Sequence, residues 1–221
     1  MDKNDKMNLD FDKHFILNIF GMCLSGKSQC LKYILYYYAK KNKFDHLLLF
    51  TNTSFNNQYD YIPEQFIHKA YDEDIIQNYM ELQKGFILNG QNSRGIIIFD
   101  DCMGLSHFLS PVFKTLSSQF RQFNLSIIIC SQSVTSIPLD VRNLAQYAII
   151  FRFEAERVIK SCYESFGVLC NNWQDFKELL LNATNAKHRY LFYDKMKSIE
   201  GRNVAYKSLK CPLVGKFKFE F

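Results

Sequence analysis

The sequence predicts an α/β fold: three layers, with a mostly parallel central sheet covered by helices on both faces. Two observations carry this expectation. Short runs rich in Ile, Leu and Phe recur along the chain and are apolar on both faces, as strands buried in a parallel sheet are. Stretches with helical periodicity separate those runs, which is the alternation that parallel pairing needs.

The elements follow in order. Residues 14–20 (HFILNIF) read as a buried strand that runs into GMCLSGKS, and 29–41 have an apolar face long enough for three helical turns. A second strand is expected at 46–51 (HLLLFT), followed by a polar loop with aromatics at 53–63. Residues 72–84 read as a helix with acidic residues in its first turn, where the helix dipole favours them. Continuous apolar runs at 95–100 (GIIIFD), 126–131 (SIIICS) and 147–151 (YAIIF) are the third, fourth and fifth strands. Helices are expected at 108–123, 154–166 and 173–181, and a last strand at 189–193 (RYLFY). The organisation is a flexible leader over 1–13, a domain over 14–195, and a basic, aromatic extension over 196–221.

Composition narrows the class. The chain has 221 residues, 48% apolar and 22% charged, which excludes wholesale disorder. A net charge of +5 permits a nucleic-acid partner without arguing for one. The seven cysteines show no C-x-x-C pair, and the start MDKNDKMNLDFDK has no apolar h-region. Reduced thiols in a cytosol-like compartment are therefore expected. No apolar run approaches the roughly 20 residues that span a bilayer.

Gly21-Met22-Cys23-Leu24-Ser25-Gly26-Lys27-Ser28 fits G-x-x-x-x-G-K-[ST] between a strand and a helix. The two glycines let the backbone wrap a phosphate, and successive N–H groups with the helix N-terminus face the anion. Lys27 reaches the β- and γ-phosphates, the Ser28 hydroxyl ligates Mg²⁺, and Gln29 opens the helix at the edge of the nucleotide contacts. The strand at 95–100 ends in Asp100 and Asp101. Asp100 would hold Mg²⁺ through its water shell, and Asp101 would orient and deprotonate the attacking water. Gln132 stands at the carboxyl end of the 126–131 strand, where open α/β sheets bind ligands. If that strand lies between the first and third, Gln132 faces the γ-phosphate.

Arginine is rare, at seven residues against twenty lysines, so its placement matters. Arg121 falls where a helix gives way to the Gln132 strand, a position suited to stabilising phosphoryl-transfer charge in a neighbouring subunit. Arg142, in PLDVRN, is a second candidate, with pairing to Asp140 or docking of a loop as its alternatives. On these residues alone the reading is Mg²⁺-dependent nucleotide hydrolysis by a P-loop NTPase of the additional-strand, RecA-like type.

The set of Walker A loop, IIIFDD, ICSQS and VRN resembles the FtsK/HerA branch of P-loop ATPases. Within it, the chain is similar to the DNA-packaging ATPases of large eukaryotic DNA viruses, virophages and polinton-like elements. The segments TNTSFNNQYDYIP, RQFNLSIIICSQS and IPLDVRN carry the resemblance, which covers about residues 14–195. Gln122 follows the arginine where that family often has His. Asp101 stands where the cellular branch has Glu. The resemblance implies a ring, pentameric or hexameric, that drives double-stranded DNA into a preformed capsid with ATP and Mg²⁺. It implies capsid proteins as partners and a cytoplasmic assembly site or the virion as location.

A small nucleotide or nucleoside kinase, or another P-loop NTPase that does not act on DNA, is the alternative; a kinase too uses a phosphate loop, but the sparse arginines do not suit a lid. From Lys195 to Phe221 seven basic residues face two acidic ones, with aromatics interleaved. That tail reads either as a phosphate-binding or capsid-docking segment, or as an edge hairpin guarded by lysines.

Overall fold

Strands form at β1 (Ile16–Phe20), β2 (His46–Thr51), β3 (Ile67–His68), β4 (Gly95–Asp100), β5 (Leu125–Ser131), β6 (Tyr147–Phe151), β7 (Arg189–Asp194) and β8 (Tyr206–Lys210). They make one sheet in the order β3-β2-β4-β5-β1-β6-β7-β8. The pairing is parallel from β3 to β6, and β7 and β8 are added antiparallel. This computed structural model describes residues 11–41, 44–53 and 58–219. The strand bearing Gln132 does lie between the first and third, which makes the fold the additional-strand type.

The runs that are apolar on both faces became the central strands because both faces are covered. Every residue of β1, β4, β5 and β6 is buried. On one face α1 (Lys27–Lys40) sets Cys30, Leu31, Ile34, Leu35 and Tyr38 against Leu17, Ile19, Ile96, Ile98 and Ile128. The other face takes α2 (Glu73–Leu88), α3 (Leu105–Leu109), α4 (Pro111–Gln119), α5 (Leu139–Leu144), α6 (Glu156–Phe166) and α7 (Trp173–Ala183), through residues such as Ile76, Phe113, Ile159 and Leu180.

Local chemistry sets the helix ends. Asp72 caps α2, its side chain accepting from the Ile75 N–H at 3.1 Å, and Glu73 and Asp74 follow in the first turn. The single helix expected at 108–123 is two. Ser110 is extended, as a residue before proline prefers, and its hydroxyl accepts from the Phe113 N–H at 3.1 Å, so α4 restarts at Pro111. The PLDVRN turn is helical, as α5.

The described residues near both ends of the chain join this core. Residues 1–10 lie outside the described residues. Phe11 is buried, its ring 4.7 Å from those of Phe15 and Tyr147. In the region expected as an extension, a short helix, α8 (Arg202–Ala205), leads into β8, and Tyr206 stacks on Tyr193 at 5.0 Å. Beyond β8 the chain turns back over the α1 face. The Gln29 amide donates to the Pro212 carbonyl at 3.3 Å, and the Phe219 N–H donates to the Tyr61 carbonyl at 2.9 Å.

Candidate nucleotide site

The loop between β1 and α1 is tight because two positions exclude a side chain. A Cβ on Gly21 would fall 2.4 Å from Ser25 Oγ and 2.9 Å from Phe151 Cβ. Gly26 has φ +113°, a left-handed conformation open to glycine, and a Cβ there would sit 3.0 Å from His188 Nδ1. Phe151, in β6, is thus the floor of the loop. Met22, Cys23 and Leu24 are exposed along its crest, while Ser25 and Gln29 are half-buried.

Lys27 is 7% exposed. Its ammonium donates to the Gly21 carbonyl at 2.7 Å and lies 3.5 Å from Asp101 Oδ2. Asp101 follows β4 in a left-handed conformation, φ +50°, which a short polar side chain tolerates. Its carboxylate accepts from the Gln132 backbone N–H and from Gln132 Nε2, each at 2.9 Å. Lys27, Asp101 and Gln132 are therefore one hydrogen-bonded and ionic group, built from the first turn of α1 and the ends of the adjacent strands β4 and β5. Beside it a cleft of about 270 Å³ is lined by Cys102, Met103, Phe108 and Ser133.

Asp100 is 4% exposed at the end of β4. Burial pushes its carboxyl up from the ordinary value, while a hydrogen bond from Tyr59 opposes the rise and the charge of Asp101 adds to it. Tyr59 itself is 3% exposed, and its hydroxyl donates to Asp100 Oδ2. Burial first, then the Asp100 charge, holds the Tyr59 hydroxyl far above its ordinary pKa, so it remains a donor. Gln58 Nε2 donates to Ser28 Oγ at 2.5 Å and to the Tyr59 hydroxyl at 3.1 Å. Ser28 and Asp100 are thus linked through two residues of the loop expected at 53–63. The signal was present, as aromatics in an otherwise polar segment.

The donor set suits a hard cation. Ser28 and Asp100 offer only oxygen, and no group of three or more His, Cys, Asp or Glu that could cage a metal occurs among the described residues. Mg²⁺ is usually held in that way, by one or two carboxylates with phosphate and water completing its shell.

The two arginines separate. Arg121 is exposed in the turn before β5, at the opposite end of that strand from Gln132, with its guanidinium 5.3 Å from the Phe120 ring centre. Burial, then the charges of Lys13, Arg94 and Arg121, push the His14 pKa down to about 4. Arg142 is 6% exposed and donates to the Ser161 carbonyl at 2.7 Å, so it docks α5 on α6. A second cleft, of about 560 Å³, runs beside the loop between Leu24, Phe151, Arg152, Asn185 and His188.

The model of the family described as Poxvirus A32 protein matches residues 2–189. The chain belongs to the poxvirus A32 protein family. A relative, Uncharacterized protein 075L of Invertebrate iridescent virus 6, is 26% identical over 170 residues, covering 75% of this chain. The match spans 65% of that relative's length. Among solved structures, the genome packaging NTPase B204 of Sulfolobus turreted icosahedral virus 2 in complex with AMPPCP superposes with a TM-score of 0.66 at 17% identity, over 92% of this chain and 100% of that one. EssC (ATPases 2 and 3) of Geobacillus thermodenitrificans superposes at 0.58 with 13% identity, over 91% of this chain and 40% of that one. These two likenesses are of fold. The A32 family match takes in the whole of the loop, β4 and β5, and with them every site residue above.

The packing under this A32-family loop makes a test. Gly21→Ala should weaken binding of a fluorescent ATP analogue by about tenfold or more, since a Cβ at 2.4–2.9 Å forces the loop off Phe151. Gly85→Ala, in α2 with open space around it, should leave binding unchanged and raise stability by about 0.5–1 kcal/mol. Equal binding by the two variants would show that the loop tolerates displacement.

Proposed function

We propose that this chain is the Mg²⁺-dependent ATPase of a ring-shaped motor that drives double-stranded viral DNA into a capsid. The observation that carries the reading is the joining of Lys27, in the first turn of α1, to Asp101 and Gln132 at two adjacent strand ends, next to Ser28 and Asp100. Membership of the A32 family supports it, as does the likeness to a protein known as a genome packaging NTPase.

Each residue then has a task. The loop from Gly21 to Ser28, with Gln29, cradles the phosphates, and Lys27 neutralises charge that grows in transfer. Ser28 and Asp100 would hold Mg²⁺, which would supply charge neutralisation at the phosphates. Asp101 takes the proton of the attacking water, and Gln132 orients Asp101 and faces the γ-phosphate. The cleft between Leu24 and His188 is of a size to receive the rest of the nucleotide. No helix among the described residues is long and apolar enough to cross a membrane.

The tail's cations divide into two sets. Lys195 donates to the Asn143 carbonyl, Lys197 lies 4.0 Å from Asp194, and Arg202 makes a two-pronged pair with Asp175 at 2.6 Å. Lys207, Lys210, Lys216 and Lys218 are exposed, on β8 and the segment after it. Those four are the cations suited to DNA phosphates.

The direct test is ATP turnover with and without double-stranded DNA, beside phosphotransfer to nucleosides. DNA should stimulate turnover, and Lys27→Ala should abolish it. Replacing the four exposed lysines by Gln should flatten the dependence of log affinity on log salt by up to about 3.6 units, at about 0.9 per phosphate contact. DNA-independent turnover with nucleoside phosphorylation would favour the kinase.

Arg121 is the candidate for action across a subunit boundary, because it lies at the far end of β5 from its own phosphate loop. Arg121→Ala and Lys27→Ala proteins should each be inactive alone, the former about 10³-fold down or more with nucleotide binding spared. Mixed rings should recover activity, since a Lys27→Ala subunit still offers its arginine to an intact neighbour. Rings shown to be mixed that stay inactive would assign Arg121 to its own subunit's structure.

A further inference from the structure

We propose that Tyr59 is a positioning residue for Asp100, and that with Gln58 it fixes the two side chains that take up Mg²⁺. This deepens the ATPase reading and rests on it. The chain of contacts runs from Ser28 Oγ through Gln58 Nε2 and the Tyr59 hydroxyl to Asp100 Oδ2. It joins the first turn of α1 to the end of β4 by way of a third segment of the chain.

The direction of these hydrogen bonds decides between a clasp and a plug. Gln58 and Tyr59 donate; Ser28 and Asp100 accept. A hydroxyl oxygen has two acceptor lone pairs, and an ionised carboxylate about four acceptor sites over two oxygens. One bond to each therefore leaves acceptor capacity for a cation while removing rotational freedom from both side chains. Outer partners of metal ligands act in this way, and losing one typically costs about 10–100-fold in metal affinity.

The clasp is held from outside the site. Ile62 N–H donates to the Tyr59 carbonyl at 2.9 Å, closing a turn, and the Tyr61 carbonyl accepts from Phe219 N–H at 2.9 Å. Tyr61 is 1% exposed, and Phe217 packs on it with ring centres 5.1 Å apart. Lys32 of α1 lies 5.0 Å above its ring. Tyr59 is thus placed by core packing and by the returning tail, before any ligand contributes.

The test measures affinity for a fluorescent ATP analogue in Mg²⁺ and in EDTA. Wild-type protein should bind more tightly in Mg²⁺. Tyr59→Phe keeps the ring and should cut that enhancement by about tenfold or more, with the affinity in EDTA unchanged. Gln58→Ala, at a half-buried position, should cut it in the same direction and guards against a folding defect in the first variant. An enhancement in either folded variant equal to or above wild type would overturn the proposal, because the hydroxyl and amide would then be packing groups or competitors of the ion. Wild-type binding indifferent to Mg²⁺ would overturn the ATPase reading itself, and this inference with it.

Discussion

In the parallel ladder joining β1, β5 and β4, Ile19 and Asp100 both lie level with Cys130. That register places the start of the glycine loop, the pair Asp100–Asp101 and Gln132 at one height on one edge of the sheet. A parallel strand slipped by one residue turns its whole side-chain set to the other face. In β4 such a slip would send Asp100 toward the helices of the opposite face and Phe99 toward the loop. The apolar pattern holds the register, since Ile96 and Ile98 pack under α1 while Ile97 and Phe99 pack against α2 and α4. The chemistry is therefore located by packing, and the ionic contacts at the strand ends finish a placement the core has already made.

The two faces of the sheet are covered unequally, and this links the tail to the site. Among the described residues one face has α2 to α7 and Ala205 of α8, and the other has α1. The remainder of the α1 face is closed by Tyr59, Tyr61, Ile62, Phe44 and Phe219. Residues that shield apolar surface here also reach the oxygens of Asp100. The antiparallel edge, β7 and β8, brings the chain to where residues 211–219 can return over α1. Exposed Lys207 and Lys210 on β8 also keep this sheet edge unattractive to other strands, so the same cations suit both an edge guard and a phosphate contact.

Much of this was legible in the sequence because its signals were local. GMCLSGKS between a buried strand and a helix, and GIIIFDD, each combine pattern and chemistry within a few residues, and β2, β4 and β6 fall at the expected residues. Where the reading slipped, the deciding interaction was distant or stereochemical. Ser110 and Pro111 broke a helix that periodicity alone carried through. The two-residue strand β3 exists through its pairing with β2. Tyr59 and Gln58 become site residues through contacts 41 and 30 positions away. Arg142, a second candidate finger in the sequence with pairing to Asp140 or docking of a loop as alternatives, is distinguished from Arg121 by its burial and its bond to the Ser161 carbonyl.

In the proposed reaction Asp101, held by Gln132 and facing Lys27, is the base of a hydrolytic centre whose cation belongs to Asp100 and Ser28. Asp101→Asn tests it most directly, because it preserves shape and removes the proton acceptor. The variant should bind Mg²⁺ and ATP with near wild-type affinity and turn over about 10²-fold or more slowly, measured by equilibrium binding and steady-state hydrolysis. Hydrolysis at the wild-type rate in that variant would contradict it.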